Sequence, residues 1–209
     1  MGGVIITLDE NEAGKRFIEL GMKEFAEKMD PYKQVGLNGQ LEEGKISEEE
    51  YRREVCKKIG REVTFEELQH CWLGYMKEIP ERNLVTLRNL KKQGYRVILL
   101  SNTNPYVSAW VDSEAFSADG HPIGDYFDAM YRSYEVKYMK PDENFFRYVL
   151  SQEQIMPEEC LFIDDGPRNC CAASELGLFT YCPQKGEDRK RTRLNSSHHG
   201  IGYAVLCLK

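Results

Sequence analysis

The sequence predicts a doubly wound α/β fold, a parallel sheet with helices on both faces, into which an α-helical cap is inserted. Three observations carry that expectation. Short apolar runs alternate with helix-like segments from Pro80 onward. Before them lie about seventy residues of helix-like sequence without a convincing strand. Three polar clusters, Ser101-Asn102-Thr103, Lys140-Pro141 and Asp164-Asp165, each close an apolar or strand-like run. In an open parallel sheet ligands gather beyond the carboxyl ends of the strands, so side chains just past Leu100, Met139 and Ile163 can converge.

Residues 4–8 form a β-branched run that reads as the end of a first strand. Residues 11–29 turn helical, with Phe17, Ile18, Leu20 and Phe25 on neighbouring turns. Ser47 with Glu50, and Thr64 with Glu67, fit the capping box, in which side chain and backbone satisfy each other's orphan donors. Their helices carry Tyr51, Val55 and Ile59, then Leu68, Cys71, Trp72, Tyr75 and Met76. The expected cap is therefore 10–79, and the expected core is 1–9 joined to 80–187. In the core, Leu84, Leu87 and Leu90 mark a helix closed by Gly94, and 95–100 reads as a buried strand. Asn104-Pro105 opens a helix through Trp110. The stretch 112–126, with Gly120, Pro122 and Gly124, reads as a long loop of the kind that is often functional. A weaker strand at 129–132 leads towards Lys140, and Pro141 is expected to start a helix through Leu150. Residues 160–163 form a third strand, 167–176 its helix with Gly177 as the stop, and 179–182 a last strand.

The 209 residues, 41% hydrophobic, suffice for one substantial core with a smaller appended domain. A formal net charge of −6, with no basic block outside the C-terminal tail, argues against nucleic acid as a partner. No apolar stretch approaches the ~20 residues of a membrane span, and no basic n-region precedes an apolar one, so a cytoplasmic protein without a membrane partner is expected. The seven cysteines form no C-x-x-C pair, and adjacent Cys170-Cys171 is poor ligand spacing for zinc. They read as free thiols packed in a reducing compartment. The scattered histidines suggest no catalytic role.

A hydroxyl, an ammonium and paired carboxylates are what phosphoryl chemistry requires. Asp164-Asp165 could be turn residues, but two adjacent carboxylates before a helix start repel unless a cation offsets them. Ser101 could cap the next helix; with Asn102 and Thr103 beside it, phosphate contact is the sharper reading. Lys140 is the least specific of the set and gains meaning from the other two clusters. Asp9 also ends a strand-like run, yet Glu10-Asn11-Glu12 supplies no small residue or turn, so Asp9 reads as a linker or cap to the first helix. Cys170-Cys171 faces a helix start, which would lower a thiol pKa, but no base lies nearby in sequence.

With these residues in view the chain resembles the haloacid dehalogenase-like hydrolase superfamily, in particular its helical-cap phosphatases of the α-glucose-1-phosphate phosphatase-like group, from Gly2 to about Glu187. Ser101 in Leu99-Leu100-Ser101-Asn102-Thr103 matches the second family motif, Lys140 before Pro141 the third, and Asp164-Asp165 with Asn169 the fourth. The opening Met1-Gly2-Gly3-Val4 matches the residues that follow the nucleophilic Asp of the first motif, which would place that Asp immediately before Met1. The resemblance implies a Rossmann-like core and a Mg2+-dependent phosphomonoester phosphatase working through an aspartyl-phosphate on a small phosphorylated metabolite, with sugar phosphate as the subgroup's implication. It implies Ser101 and Lys140 as catalytic residues, and Ser101, Asn102 and Lys140 as substrate-binding. It implies Asp164, Asp165 and the backbone carbonyl of Gly2 as metal ligands. Without the nucleophilic Asp, the chain as given is expected to be inactive.

Three rivals remain. A 2-haloacid dehalogenase needs no metal and gains little from paired carboxylates. A phosphoacceptor signalling domain carries its acidic pair on the first strand. A non-catalytic phosphate- or metal-binding domain is the third. Residues 188–209 resemble the read-through translation of a sequencing adapter, which suggests a gene fragment, and are expected to stand outside the fold.

Overall fold

The computed structural model describes residues 1–23 and 35–183, together with the main chain of 203–208. Five strands form a parallel sheet: β3 (Arg96–Ser101), β4 (Ala129–Arg132), β5 (Cys160–Ile163), β6 (Phe179–Tyr181) and β7 (Tyr203–Leu208), in the order β4-β3-β7-β5-β6. A separate two-stranded antiparallel ribbon joins β1 (Thr7–Leu8) to β2 (Met76–Glu78).

Strand β3 explains the layering. Val97 and Leu99 pack into an apolar cluster on one face of the sheet, while Ile98 and Leu100 pack into a second cluster on the other. A run buried on both faces is the mark of a parallel strand with helices above and below. The second cluster gathers Phe145, Phe146 and Val149 of α8 (Glu143–Glu153) and Cys170 and Ala173 of α9 (Pro167–Glu175) around Phe162. The first takes in Leu84 and Leu87 of α5 (Glu81–Lys92) and Tyr106 of α6 (Pro105–Val111).

That first cluster also contains residues of the helical stretch between β1 and β2. The described residues of this stretch hold α1 (Glu10–Leu20), α2 (Gly36–Glu42), α3 (Glu48–Ile59) and α4 (Phe65–Leu73). Phe17, Tyr51, Val55, Leu68 and Trp72 are buried together with the sheet residues. Both expected capping boxes are present, on Ser47 with Glu50 and on Thr64 with Glu67. Helix α1 is shorter than its apolar pattern suggests. Gly21, at φ 107, adopts the left-handed conformation that ends a helix at little steric cost, and its N–H bonds back to Ile18 O and Phe17 O. Part of the expected extension to residue 29 lies outside the described residues.

The stretch 112–126 holds two 3-10 turns, Glu114–Phe116 and Ile123–Tyr126, with Phe116, Ile123 and Tyr126 buried. A four-residue helix, α7 (Ser133–Val136), follows β4. Among the described residues no helix is long and apolar enough to cross a membrane.

Three expectations are corrected. Residues 4–8 do not enter the sheet. Met1 O accepts from Ile5 N and Ile6 N, and Gly3 N donates to Ile6 O, so 1–6 form a tight turn around Gly3 at φ 79. Asn83 Nδ2 fastens it by donating to Val4 O at 3.2 Å and Ile5 O at 2.8 Å. Thr7–Leu8 then pairs with β2 instead. Second, Pro141 does not open a helix: the Lys140–Pro141 bond is cis and Asp142 caps α8 at Glu143. Third, part of the tail enters the fold. Tyr203–Leu208 pairs in parallel with Arg96–Ser101 on one side, and with Cys160–Ile163 on the other. The physical reason is that β3 and β5 present facing rows of backbone donors and acceptors that need a partner, and 203–208 supplies one. The basic stretch 188–198 lies outside the described residues.

Candidate active site

The three predicted clusters come together at the carboxyl end of the sheet. Ser101 is the last residue of β3, and Asp164 directly follows β5. Lys140 lies eight residues past β4, carried there by α7 and a turn. Lys140 Nζ donates to Asp164 Oδ2 at 2.7 Å and to Leu100 O at 3.2 Å, and stands 5.9 Å above the Phe162 ring. Ser101, Lys140 and Asp164 are each completely buried. An ion pair withdrawn from water in this way holds only if its remaining hydrogen-bonding groups are also met. For Asp164 they are: Oδ1 accepts from Gly166 N at 2.7 Å and from Asn169 Nδ2 at 2.8 Å.

The loop after β3 is fixed just as closely. Asn104 Oδ1 caps α6 by accepting from Tyr106 N and Val107 N. Thr103 N donates to Ser133 Oγ at 3.0 Å, and Ser133 Oγ returns a bond to Thr103 O at 3.3 Å. Asn102 turns its amide onto the main chain of Lys140, donating to Lys140 O and accepting from Lys140 N, both at 2.9 Å. Its side chain therefore positions the lysine. Sequence reasoning grouped Asn102 with Ser101 but carried no signal for this clamp between residues 38 positions apart.

Asp165 lies against the N-terminal turn. A Cβ built on Gly3 would fall 2.0 Å from Asp165 Oδ2, so only a glycine lets the main chain approach that carboxylate so closely. Gly2 lines a cleft together with Asn102 and Thr103. Asp9 is not at the rim: its Oδ1 accepts from Asn11 N and Glu12 N at 3.1 Å as the cap of α1. Cys170 does not acquire a lowered thiol pKa. Burial, then the neighbouring Cys182 and Asp164, push it up to about 12, and its Sγ donates to Asp164 O. Cys171 is exposed beside Glu175.

The cleft is lined both by residues of this rim and by residues of the helical layer, and it is partly open to solvent. Its lining also includes Glu42, Trp72, Tyr75 and Met76; the sequence offered the last three as helix positions, whereas α4 ends at Leu73 and Met76 opens β2. Ser101, Lys140 and Asp164 are buried and do not line it; the cleft reaches the cluster through Asn102, the chain neighbour of Ser101.

The donor set fits a hard divalent cation. Among the described residues no three His, Cys, Asp or Glu side chains cluster as a metal cage. Magnesium characteristically takes one or two carboxylates and completes its shell with water, phosphate or a carbonyl. Asp164 supplies one carboxylate directly after β5. Asp165 brings a second carboxylate to the glycine turn.

Comparison with known proteins agrees with this geometry. Residues 4–177 match the haloacid dehalogenase-like hydrolases. The chain is 41% identical over 187 residues to the D-ribitol-5-phosphate phosphatase of Bacteroides thetaiotaomicron, covering 90% of each sequence. A solved structure of a predicted hydrolase of this type from Porphyromonas gingivalis superposes with a TM-score of 0.84 at 39% identity, over 90% of both chains. A second, a Bacteroides thetaiotaomicron enzyme of the same family in complex with magnesium and inorganic phosphate, gives 0.81 at 36% identity, over 90% of this chain and 93% of that one. Sequence match, shared fold and the convergence of the three motifs together make this chain a member of the haloacid dehalogenase-like hydrolase family.

Proposed function

We propose that the site is that of a Mg2+-dependent phosphomonoester phosphatase acting on a small phosphorylated metabolite, a sugar or polyol phosphate above all. The single observation that carries the reading is the buried Lys140–Asp164 pair seated beside Ser101 at the sheet's carboxyl rim. The relatives that bind magnesium and phosphate, or are named for D-ribitol 5-phosphate, support it. In this reading the Ser101 hydroxyl and the main-chain amides after it hold phosphoryl oxygens, and Lys140 offsets their charge. Asp164, Asp165 and the carbonyl of Gly2 would hold Mg2+, which supplies further neutralisation of the phosphoryl charge when bound. Glu42 and Trp72 of the helical layer would wall one part of the cleft and limit the access of bulk water to it.

We further infer that these 209 residues bind phosphate with no more than trace turnover. Asp164 and Asp165 would serve the cation, Asp9 is committed to capping α1, and the Cys170 thiol is buried with its pKa pushed up, so among the described residues of the rim no carboxylate or thiol remains as attacking group for a covalent phosphoryl intermediate. The test is hydrolysis of a phosphomonoester in Mg2+ by this chain, and by a version extended upstream with an apolar strand that ends in Asp directly before Met1. Trace activity in the first and turnover in the second are expected. Full activity in the unextended chain, abolished by Asp9→Asn, would overturn the assignment of the first motif.

A further inference from the structure

We propose that Gly44 and Lys137 form a latch through which the helical layer sets the position of the rim, so that Thr103 and Lys140 are held in place only while the chain after α2 stays seated on α7. The inference deepens the phosphatase reading and rests on it. Both are positioning residues that act through α7. Gly44 closes α2 by donating its N–H to Leu41 O at 3.0 Å. It stands at φ 64, in the left-handed region, and a Cβ built on it would fall 2.1 Å from Tyr134 O and 2.7 Å from Lys137 Nζ. Main chain packs on main chain here, and a side chain at 44 is excluded by conformation and by space alike. From the other side Lys137 Nζ donates to Gly44 O at 2.8 Å. Lys137 is itself at φ 68, uncommon for a residue with a side chain, and its N–H donates to Ser133 O at 2.8 Å to end α7. Such a backbone persists where its surroundings hold it, and the Gly44 carbonyl holds the head of this side chain.

The rim hangs on the same short helix. At the start of α7 the buried Ser133 binds both the N–H and the carbonyl of Thr103. Just past Lys137 comes Lys140, whose main chain Asn102 grips. The loop after β3 is thus tied to each end of the segment 133–140, and Gly44 bears on that segment between the two ties. The helical layer also meets the core at α6, where Gln69 Nε2 donates to Tyr106 O at 3.0 Å and Glu48 accepts from Tyr106 OH at 2.8 Å. Those bonds end on α6, whereas the Gly44 contact ends on the segment that carries Lys140. A shift of the chain after α2 therefore moves α7 first, and Thr103 and Lys140 with it.

The test is hydrogen exchange of the 209-residue chain, read by NMR at the amides of Thr103 and Lys140, with calorimetric titration of inorganic phosphate in Mg2+ beside it. Both amides are bonded within the rim, to Ser133 Oγ and Asn102 Oδ1, so they report its order without a ligand. Gly44→Ala should speed their exchange about tenfold relative to the amides of 161–163 in β5, and weaken phosphate by about as much. Lys137→Met keeps the backbone contact but loses the bond to Gly44 O, and about threefold in both is expected; Lys137→Arg should stay near the wild type. That pair serves if Gly44→Ala does not fold. Gln69→Ala loosens the layer at α6 instead and should leave both amides as they are. Equal acceleration by Gln69→Ala, or unchanged exchange at Thr103 and Lys140 in both latch variants, overturns the latch. Faster exchange with undiminished phosphate affinity overturns its role in positioning the rim. A wild-type chain that binds no phosphate overturns the phosphatase reading, while the two amides still decide whether the latch exists.

Discussion

The rim formed by the ends of β3 and β5 and the N-terminal turn that touches it are built on opposite terms. At the rim the polar groups are held largely from other elements: Lys140 by Asp164, Asp164 by the Asn169 side chain and the Gly166 N–H, Thr103 by Ser133, and the Lys140 main chain by Asn102. The segment 1–6 instead closes on its own backbone, with Asn83 as its fastening from outside. The sheet position between β3 and β5 goes to β7, from the far end of the chain. The difference teaches that the cluster of Ser101, Lys140 and Asp164 is drawn wholly from the chain after Pro80, whereas the middle of the sheet is filled from the far end of the chain.

Breaking the middle of the sheet should have the largest effect. Deleting 188–209 removes a strand paired on both sides, and at a net ~1 kcal/mol per backbone hydrogen bond the loss amounts to several kcal/mol. A lowered melting temperature, with faster hydrogen exchange at 97–100 and 161–163, is expected; unchanged exchange there would show that β7 contributes nothing to the sheet. Next comes the rim. Lys140→Met leaves Asp164 buried and uncompensated, a loss of about 3–5 kcal/mol in urea unfolding, together with loss of phosphate binding. A stable variant that still bound phosphate would remove Lys140 from the site. The smallest effect belongs to the N-terminal turn. Asn83→Ala deletes its two fastening bonds at about 1 kcal/mol each or less, and should leave phosphate affinity nearly unchanged. A large drop in affinity would mean that the turn, through Gly3 and Asp165, has a share in the rim.

Where local chemistry and tertiary need agreed, the sequence was legible. The strands at 129–132 and 160–163, the two capping boxes and the Asp9 cap lie where their residues suggest. The convergence of Ser101, Lys140 and Asp164 followed from motif order on an open sheet. What failed was decided by competition over distance. Val4, Ile5 and Ile6 have strong strand preferences, but Gly3 turns the chain and Asn83 captures two of their carbonyls. The run Tyr203–Leu208 was set aside for its likeness to an adapter, although its composition suits a strand and two strand edges were available to it. Glu42 could not be placed at all, because a position on an amphipathic helix does not state which ligand cleft its polar edge will border.

The clamp between Asn102 and Lys140 has a consequence for how this site can change. Because Asn102 grips the lysine's peptide N–H and carbonyl, the location of position 140 is set independently of the side chain that position carries. Charge and placement are thus written at two different residues. A library varied at 140 with Asn102 kept would sample new chemistry in a preserved frame, whereas one varied at 102 would move the frame and leave the chemistry with nowhere to act.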